Sequence, residues 1–249
     1  MLTLPSETLI FGHRGASSDA PQNTLPAFQL ALDHGAAGVE LDVHLTADGE
    51  LVVIHDFTVD HTTDGTGNVA EMTLSDLKAL DAGSWHSEAY RGTRVPTLSE
   101  VFELLAGRVL VNVEIKADTT GIELAVAAVL RQYDMLDKVI ISSFDPSILQ
   151  RTQRVLPEVA VGWLYVEGAG FDTQEVLRDL KVNAVHPYHE MIDAAYMEWA
   201  KGQGYAVNTW TVNDPQRVLE LRDLGVNVVI TDHPARLLET LSANSTSIS

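Results

Sequence analysis

Apolar and polar positions in this chain of 249 residues follow a repeating alternation. Eight short runs rich in Val and Ile stand out: TLIFG, GVELDV, RVLVNVEI, KVIISSF, VAVGWLYV, VNAVHPY, YAVNTWTV and VNVVITD. Between them lie segments with helical spacing, such as Leu25, Phe28 and Leu32 after Thr24. Near-continuous apolar runs suit strands buried on both faces, and a 3.6-residue apolar period suits helices laid over them. The helix boundaries are marked as well. Thr97 with Glu100 reads as a capping box, Asp214 before Pro215 as an N-cap followed by proline in the first turn, and Gly35 and Gly225 as helix-ending glycines. Eight strand-helix units in about 250 residues predict an α/β protein of the (β/α)8 TIM-barrel class rather than an open doubly wound sheet.

One element breaks the alternation. LVVIHD follows GVELDVHLT across Ala47-Asp48-Gly49-Glu50, a link too short for a parallel crossover, so this strand must return antiparallel as a hairpin. Pairing Thr46 with Leu51 gives a register that sets Asp42 opposite His55 and Glu40 opposite Phe57. Residues 56–108, rich in Thr, Gly and Asp with a short helical pattern at Thr73 to Leu80, read as an insertion-like excursion over the barrel mouth. The polar end SANSTSIS, 242–249, reads as a frayed tail. With no internal repeat and no linker, 1–249 is expected to form a single barrel domain.

Charge and composition narrow the function. The formal net charge of −19 repels phosphate backbones and anionic headgroups, so nucleic acid is not an expected partner and any phosphate chemistry must be local. The absence of cysteine removes disulfides, thiolate nucleophiles and thiolate metal sites together, leaving oxygen and imidazole ligands. MLTLPSETLIFGHRG lacks a basic segment followed by an apolar one, and no run approaches the roughly 20 apolar residues of a membrane span. A cytoplasmic protein is expected. No helix face carries an apolar stripe that would declare an oligomer interface, so the oligomeric state stays open.

The chemistry-bearing residues gather on few elements. Glu40 and Asp42 share one face of their strand because side chains alternate with period 2. On a solvent-facing edge strand that would be ordinary, but Val39, Leu41 and Val43 occupy the opposite face, which turns the acids inward in a closed barrel. Glu114 ends the next predicted strand. Like charges so close raise one another's pKa unless a cation or proton lies between them, and three hard oxygen ligands suit Mg2+ or Ca2+ and disfavour a structural zinc. FGHRG puts His13 and Arg14 in a βα loop, at the face where barrel active sites are built. A lone histidine at a strand end is as readily a hydrogen-bonded structural residue, and its weight comes from convergence with His55 and the acids. Lys116, two residues past Glu114, and Arg14 are either surface cations or complements to an anionic substrate, phosphate being the best match. His34, His44, His61, His86 and His233 read as structural or solvated, while His186 and His189 near the sixth strand are candidates for lining the mouth.

Taken in order, HRGASSDAPQNTLPAF, GVELDVHLTADGELVVIHD, TTDGTG, VPTLSEV, VNVEIK, ISSF, NTWTVN and ITDHP resemble the glycerophosphodiester phosphodiesterase family from about residue 10 to 235. The resemblance implies a barrel of the type above and a metal-dependent hydrolysis that yields glycerol 3-phosphate and an alcohol, with one divalent cation as cofactor and a small glycerophosphodiester as partner. It also implies that His13 and His55 are the acid-base pair, that Glu40, Asp42 and Glu114 hold the metal, that Arg14 and Lys116 hold the phosphate, and that Trp210 packs on the glycerol or alcohol part. Trp210 at a strand end is equally compatible with a core role. One position departs from the pattern: where many relatives read Pro-Glu-Asn-Thr this chain has Pro21-Gln22-Asn23-Thr24, a neutral amide in place of a carboxylate near Arg14. A lysophospholipase D or phosphoinositide-type phosphodiesterase on the same barrel is the neighbouring alternative. A metal barrel for carbonyl chemistry has no use for paired histidines beside two phosphate-type cations. A non-catalytic phosphodiester-binding barrel is the remaining possibility.

Overall fold

The computed structural model describes residues 7–116, 119–168 and 173–245. Its strands are β1 (Leu9–His13), β2 (Gly38–Leu45), β3 (Leu51–Val53), β4 (Leu110–Ile115), β5 (Val139–Ser143), β6 (Ala160–Tyr165), β7 (Ala184–Pro187), β8 (Ala206–Thr209) and β9 (Val228–Thr231). Its helices are α1 (Leu25–Asp33), α2 (Leu74–Ala79), α3 (Leu98–Leu105), α4 (Ile122–Gln132), α5 (Pro146–Val155), α6 (Thr173–Asp179), α7 (Ala194–Gln203), α8 (Pro215–Leu224) and α9 (Pro234–Ser245). Eight strands pair in parallel in the order β1-β2-β4-β5-β6-β7-β8-β9, and β9 pairs back onto β1, so the sheet closes into a barrel. These eight are the eight apolar runs of the sequence.

The closed ring explains why those runs are apolar on both faces. Outward residues such as Val39, Leu41, Val111, Val113 and Ile141 pack against Phe28, Phe102, Leu130 and Leu149 of the surrounding helices in one continuous core. Inward residues at the start of the later strands, Ile140, Ala160 and Ala184, plug the barrel's lower end, and Phe11, Val228 and Ile230 fill the side between β1 and β9. The helix boundaries follow the expected chemistry. The Thr97 side chain accepts from the Glu100 amide and the Glu100 carboxylate accepts from Thr97, completing a capping box. Asp214 caps α8 with Pro215 in its first turn, and Gly225 ends that helix in the left-handed region. The short helical pattern after Thr73 is α2, with Thr73 and Asp76 forming a second capping box.

β3 lies outside the ring, antiparallel to the end of β2. β1 pairs with β2 only as far as Glu40, and β3 takes over from Val43, on the stretch of β2 that β1 leaves free. The register differs by one residue from the expected one. Leu45 faces Leu51 and Val43 faces Val53, so Asp42 lies opposite Ile54, not His55. The cause is the turn. Thr46 N–H donates to Glu50, which leaves a three-residue loop, Ala47-Asp48-Gly49, and Gly49 adopts φ +87°, a left-handed conformation glycine takes without steric cost. This register keeps Val43, Leu51 and Val53 on the helix-facing side, whereas a one-residue slip would turn β3 over.

Segment 54–97 builds a small apolar cluster of its own from Ile54, Val59, Val69, Leu77, Ala82 and Val95 together with Val52, and α3, at the end of the 56–108 stretch, joins the ring of barrel helices. Helix α9 continues through Ser245, so the first four residues of the expected tail are helical, and 246–249 lie outside the described residues. Among the described residues, no helix is long and apolar enough to cross a membrane.

Candidate active site

Three neighbouring strands deliver His13 and the three acids in lateral register. His13 at the end of β1 is the register partner of Glu40 on β2, and Asp42 is the register partner of Glu114 on β4. Glu40, Asp42 and Glu114 are all buried, and each offers an oxygen within 4.8 Å of those of the other two. Burial and the charges of Asp42 and Glu114 raise the Glu40 pKa well above the carboxylate range. Glu114 is pushed up to about 7 by burial and by Asp42. Burial acts on Asp42 in the same sense, but Arg14, Lys116 and the Asn23 amide overcome it and hold Asp42 low. The cluster therefore carries three carboxylates against two cations and lacks positive charge. Hard oxygens, close spacing and that deficit together fit a divalent cation.

The loop after β1 brings in the cations. Arg14 adopts φ +55°, uncommon for a side-chain-bearing residue, and its N–H donates to Glu40 Oε2 at 3.1 Å. Gly15 follows at φ +88°, where a Cβ would come within 2.6 Å of the α1 backbone at Ala27, so α1 can seat directly on the turn. The Arg14 Nη1 donates to Gln22 Oε1 at 2.5 Å, and Nε lies 3.4 Å from Asp42 Oδ2, an ion-pair contact without hydrogen-bond geometry. Asn23 Nδ2 donates to Asp42 Oδ2 at 2.8 Å, tying the same loop to β2. Lys116 Nζ lies 2.7 Å from Glu114 Oε1 and 3.6 Å from Asp42 Oδ1, and those two charges raise its pKa against the effect of burial.

Each candidate histidine is backed by an aspartate. His13 Nδ1 bonds Asp232 Oδ1 at 2.6 Å, leaving Nε2 3.9 Å from Glu40 Oε2. His55 Nδ1 bonds Asp56 Oδ1 at 2.7 Å. Asp232, just past β9, also accepts from Ser17 Oγ at 2.8 Å and from Asn213 Nδ2 at 2.6 Å, and these bonds together with His13 hold its carboxyl well below the usual range despite burial. Burial lowers the His55 pKa, helped by Arg14 and Lys116 and opposed by Asp42 and Asp56. His55 reaches the site although it does not pair with Asp42, because β3 ends at Val53 and the chain turns inward there.

These residues line one cavity of about 100 Å³ at the C-terminal ends of the barrel strands. His13, Arg14, Glu40, His55, Glu114 and Lys116 form its polar side, and Phe144, Leu164, Trp210 and Ile230 the apolar side. Asp42 lies behind Glu40 and Glu114, 1% exposed. Trp210 stands at the cavity wall, not in the core. Its indole N–H donates to the His186 carbonyl at 3.0 Å, and its ring meets Phe144 and Tyr188 edge to face. His186 itself is fully buried inside the barrel beside Asn208 and is pushed down to about 3 by burial, so it does not line the mouth. His189 lies in the turn after β7, its ring tilted against that of Tyr188. Sequence reasoning did not single out Asp232, Asp56, Asn23, Asn112 or Phe144. Asp56 and Asp232 carried a signal, since each follows a strand end and adjoins a histidine in the chain.

Comparison with known proteins gives one answer. The model of the glycerophosphoryl diester phosphodiesterase family matches residues 13–236. A glycerophosphodiester phosphodiesterase of Caldanaerobacter subterraneus is 40% identical over 236 residues, covering 93% of this chain and 97% of its own. The structure of an Oleispira antarctica phosphodiesterase in complex with the product sn-glycerol-3-phosphate superposes with a TM-score of 0.87 at 33% identity, over 96% of this chain and 97% of the other. A glycerophosphodiester phosphodiesterase structure from Agrobacterium tumefaciens gives a TM-score of 0.83 at 32% identity, over 93% and 99%.

Proposed function

The chain belongs to the glycerophosphoryl diester phosphodiesterase family and is an enzyme of that class, and from that premise we propose that its barrel-mouth cavity releases glycerol 3-phosphate by paired-histidine acid-base catalysis beside one divalent cation, Mg2+ or Ca2+. The observation that carries this reading is the convergence of two histidine-aspartate pairs, three buried acids and two cations on one cavity. Glu40, Asp42 and Glu114 would hold the cation. When bound, it supplies Lewis-acid polarisation of the phosphoryl oxygens.

The chain's own groups account for the rest. Arg14 and Lys116 offset charge on the phosphoryl oxygens. His55, kept neutral by burial and its cationic neighbours, takes the proton of the glycerol 2-hydroxyl as that oxygen attacks phosphorus. His13, held through Nδ1 by Asp232 with Nε2 turned to the cavity, protonates the alcohol oxygen as its bond to phosphorus breaks. Water then opens the cyclic phosphate with the two roles exchanged. The cavity is smaller than the several hundred Å³ typical of sites that enclose whole ligands, so it suits the phosphoglycerol end, with the alcohol reaching out past Trp210 and Phe144.

The test is release of glycerol 3-phosphate from glycerophosphocholine, with and without chelator, and with lysophosphatidylcholine run in parallel. Metal-dependent hydrolysis of the first substrate is expected. Equal or faster choline release from the lysophospholipid would move the assignment to a lysophospholipase D, and turnover of neither substrate with metal present would leave a phosphodiester-binding barrel.

A further inference from the structure

Beside Glu40 and below Glu114, one neutral side chain faces the cavity with an atom unsatisfied. Asn112 lies on β4 as the register partner of Glu40, is 2% exposed and lines the cavity floor. Its Nδ2 donates to Ser142 Oγ at 2.9 Å, and its Oδ1 has no hydrogen-bond partner. A buried amide atom without a partner is costly, and in a binding cavity the absent partner is commonly a group of the ligand. Resting on the reading of this cavity as a glycerophosphodiester site, we propose that Asn112 is a specificity-determining residue that binds the terminal, non-reacting hydroxyl of the glycerol.

Depth and chemistry both select that hydroxyl. Asn112 precedes Glu114 by two residues on the same strand face, so it lies level with Glu40 and roughly 7 Å further down the strand than Glu114 and its partner Asp42. The terminal oxygen of glycerol is separated from the ester oxygen by the full three-carbon chain, so with phosphorus at the acids it is the substrate atom that extends furthest towards the floor. The 2-hydroxyl must surrender its proton and belongs beside an imidazole, which a neutral amide cannot replace as a base. A hydroxyl that is only recognised keeps its proton and donates it to a carbonyl. It also accepts, so it satisfies the amide whichever way round the group lies, since Ser142 can bond either end. His186 Nδ1 and Asn208 Oδ1 are likewise unpartnered inside the barrel, so an ordered water held by the interior amides is the competing occupant.

The experiment compares two substrates that differ in that oxygen alone: glycerophosphocholine and propane-1,2-diol phosphocholine, which retains the attacking 2-hydroxyl. Wild-type enzyme is expected to favour the glycerol ester in kcat/KM by roughly ten- to a hundredfold, because loss of the hydroxyl leaves the amide unpaired. In Asn112→Leu and Asn112→Ala that ratio is expected to fall towards one. A wild-type ratio near one while both esters are hydrolysed overturns the proposal and leaves the phosphodiesterase reading standing. So does an equal loss on both substrates in folded variants, the result if the amide holds only water or the strand. Turnover of neither ester by wild type removes the reading itself, and the proposal with it. If the variants fail to fold, a wild-type crystal structure with glycerol 3-phosphate decides: the terminal oxygen within hydrogen-bond distance of Asn112 supports the proposal, and its placement elsewhere overturns it.

Discussion

Asp232→Asn is the substitution with the most defined outcome. Asn213 is pinned, because its Oδ1 accepts from the Asp232 amide and from Thr231 Oγ1, which leaves its Nδ2 aimed at the other oxygen of Asp232. An asparagine at 232 must therefore present its carbonyl to Asn213 and its NH2 to His13 Nδ1. Two donors cannot face each other, so His13 is forced into the tautomer with Nδ1 bare, and its imidazolium is opposed. The electrostatic part can be sized separately. Two unit charges about 4 Å apart at an effective dielectric of about 20 interact by about 4 kcal/mol, an upper bound. A charge-assisted hydrogen bond nets about 1.5–3 kcal/mol, and the Asp232 side chain is 30% exposed, so we take about 2 kcal/mol, or roughly 30-fold in rate. Asp232→Ala, which removes the charge without imposing a tautomer, should lose roughly that much in kcat/KM. Asp232→Asn should lose more, roughly a hundredfold to ten-thousandfold. The assay is coupled release of glycerol 3-phosphate from glycerophosphocholine at saturating metal, with circular dichroism to check the fold. Asp232→Asn within twofold of wild type, or markedly better than Asp232→Ala, would refute the tautomer argument.

The remaining expectations concern the acids and His55. EDTA should abolish hydrolysis, Mg2+ or Ca2+ should restore it, and Glu114→Ala should reproduce the chelated state; undiminished turnover after exhaustive chelation excludes the metal. The raised pKa values of Glu40 and Glu114 mean that the metal-free fold binds more protons than the unfolded chain. Their contribution is full below pH about 4.5 and is lost as pH rises, for Glu114 through about 7. The Tm gain on adding metal should accordingly be larger at pH 8 than at pH 5, with proton release on binding near pH 7, both readable by calorimetry; an equal gain at both pH values contradicts this. His55→Ala should lower turnover at least roughly a hundredfold, and because the His55 pKa is depressed, wild-type kcat/KM at saturating metal should fall on the acid side only below pH 6.5. An acid limb centred above 6.5 would remove His55 as the proton acceptor.

Much of this site was legible in the sequence because barrel geometry turns local spacing into proximity. Period-2 alternation put Glu40 and Asp42 on one face, and the parallel pairing of consecutive barrel strands β2 and β4 brought Glu114 beside Asp42. The hairpin register was misjudged because it depends on whether Gly49 closes a three- or four-residue loop, a difference of one residue that apolar alternation alone does not decide. His55 still arrives, since its place is set by where β3 ends and not by the pairing. The partners that orient the histidines were harder to see. Asp232 lies 219 positions from His13 and meets it only because β9 pairs with β1 to close the barrel. Asn112 was hidden for a different reason: in NVEI it reads as an ordinary interior residue, and only the unpartnered Oδ1 in the folded cavity sets it apart.

A chain with a net charge of −19 is an unexpected host for a phosphate site, and the resolution lies in the difference between substrate and product. On the proposed reading, Arg14, Lys116 and a divalent ion near phosphorus would outweigh the surrounding field, whose range is about 8–10 Å at moderate salt. Beyond that range the acidic surface acts on the net charge of whatever approaches or leaves. Glycerophosphocholine is a zwitterion and arrives without penalty, whereas glycerol 3-phosphate carries about −1.5 to −2 at neutral pH and is expelled. The field thus opposes product rebinding without hindering substrate entry. At constant metal saturation, raising NaCl from about 20 to about 300 mM should strengthen product inhibition several-fold while the KM for glycerophosphocholine hardly moves. If the inhibition constant for glycerol 3-phosphate is insensitive to salt, or rises with it, local contacts alone govern release and the acidic surface has no part in turnover.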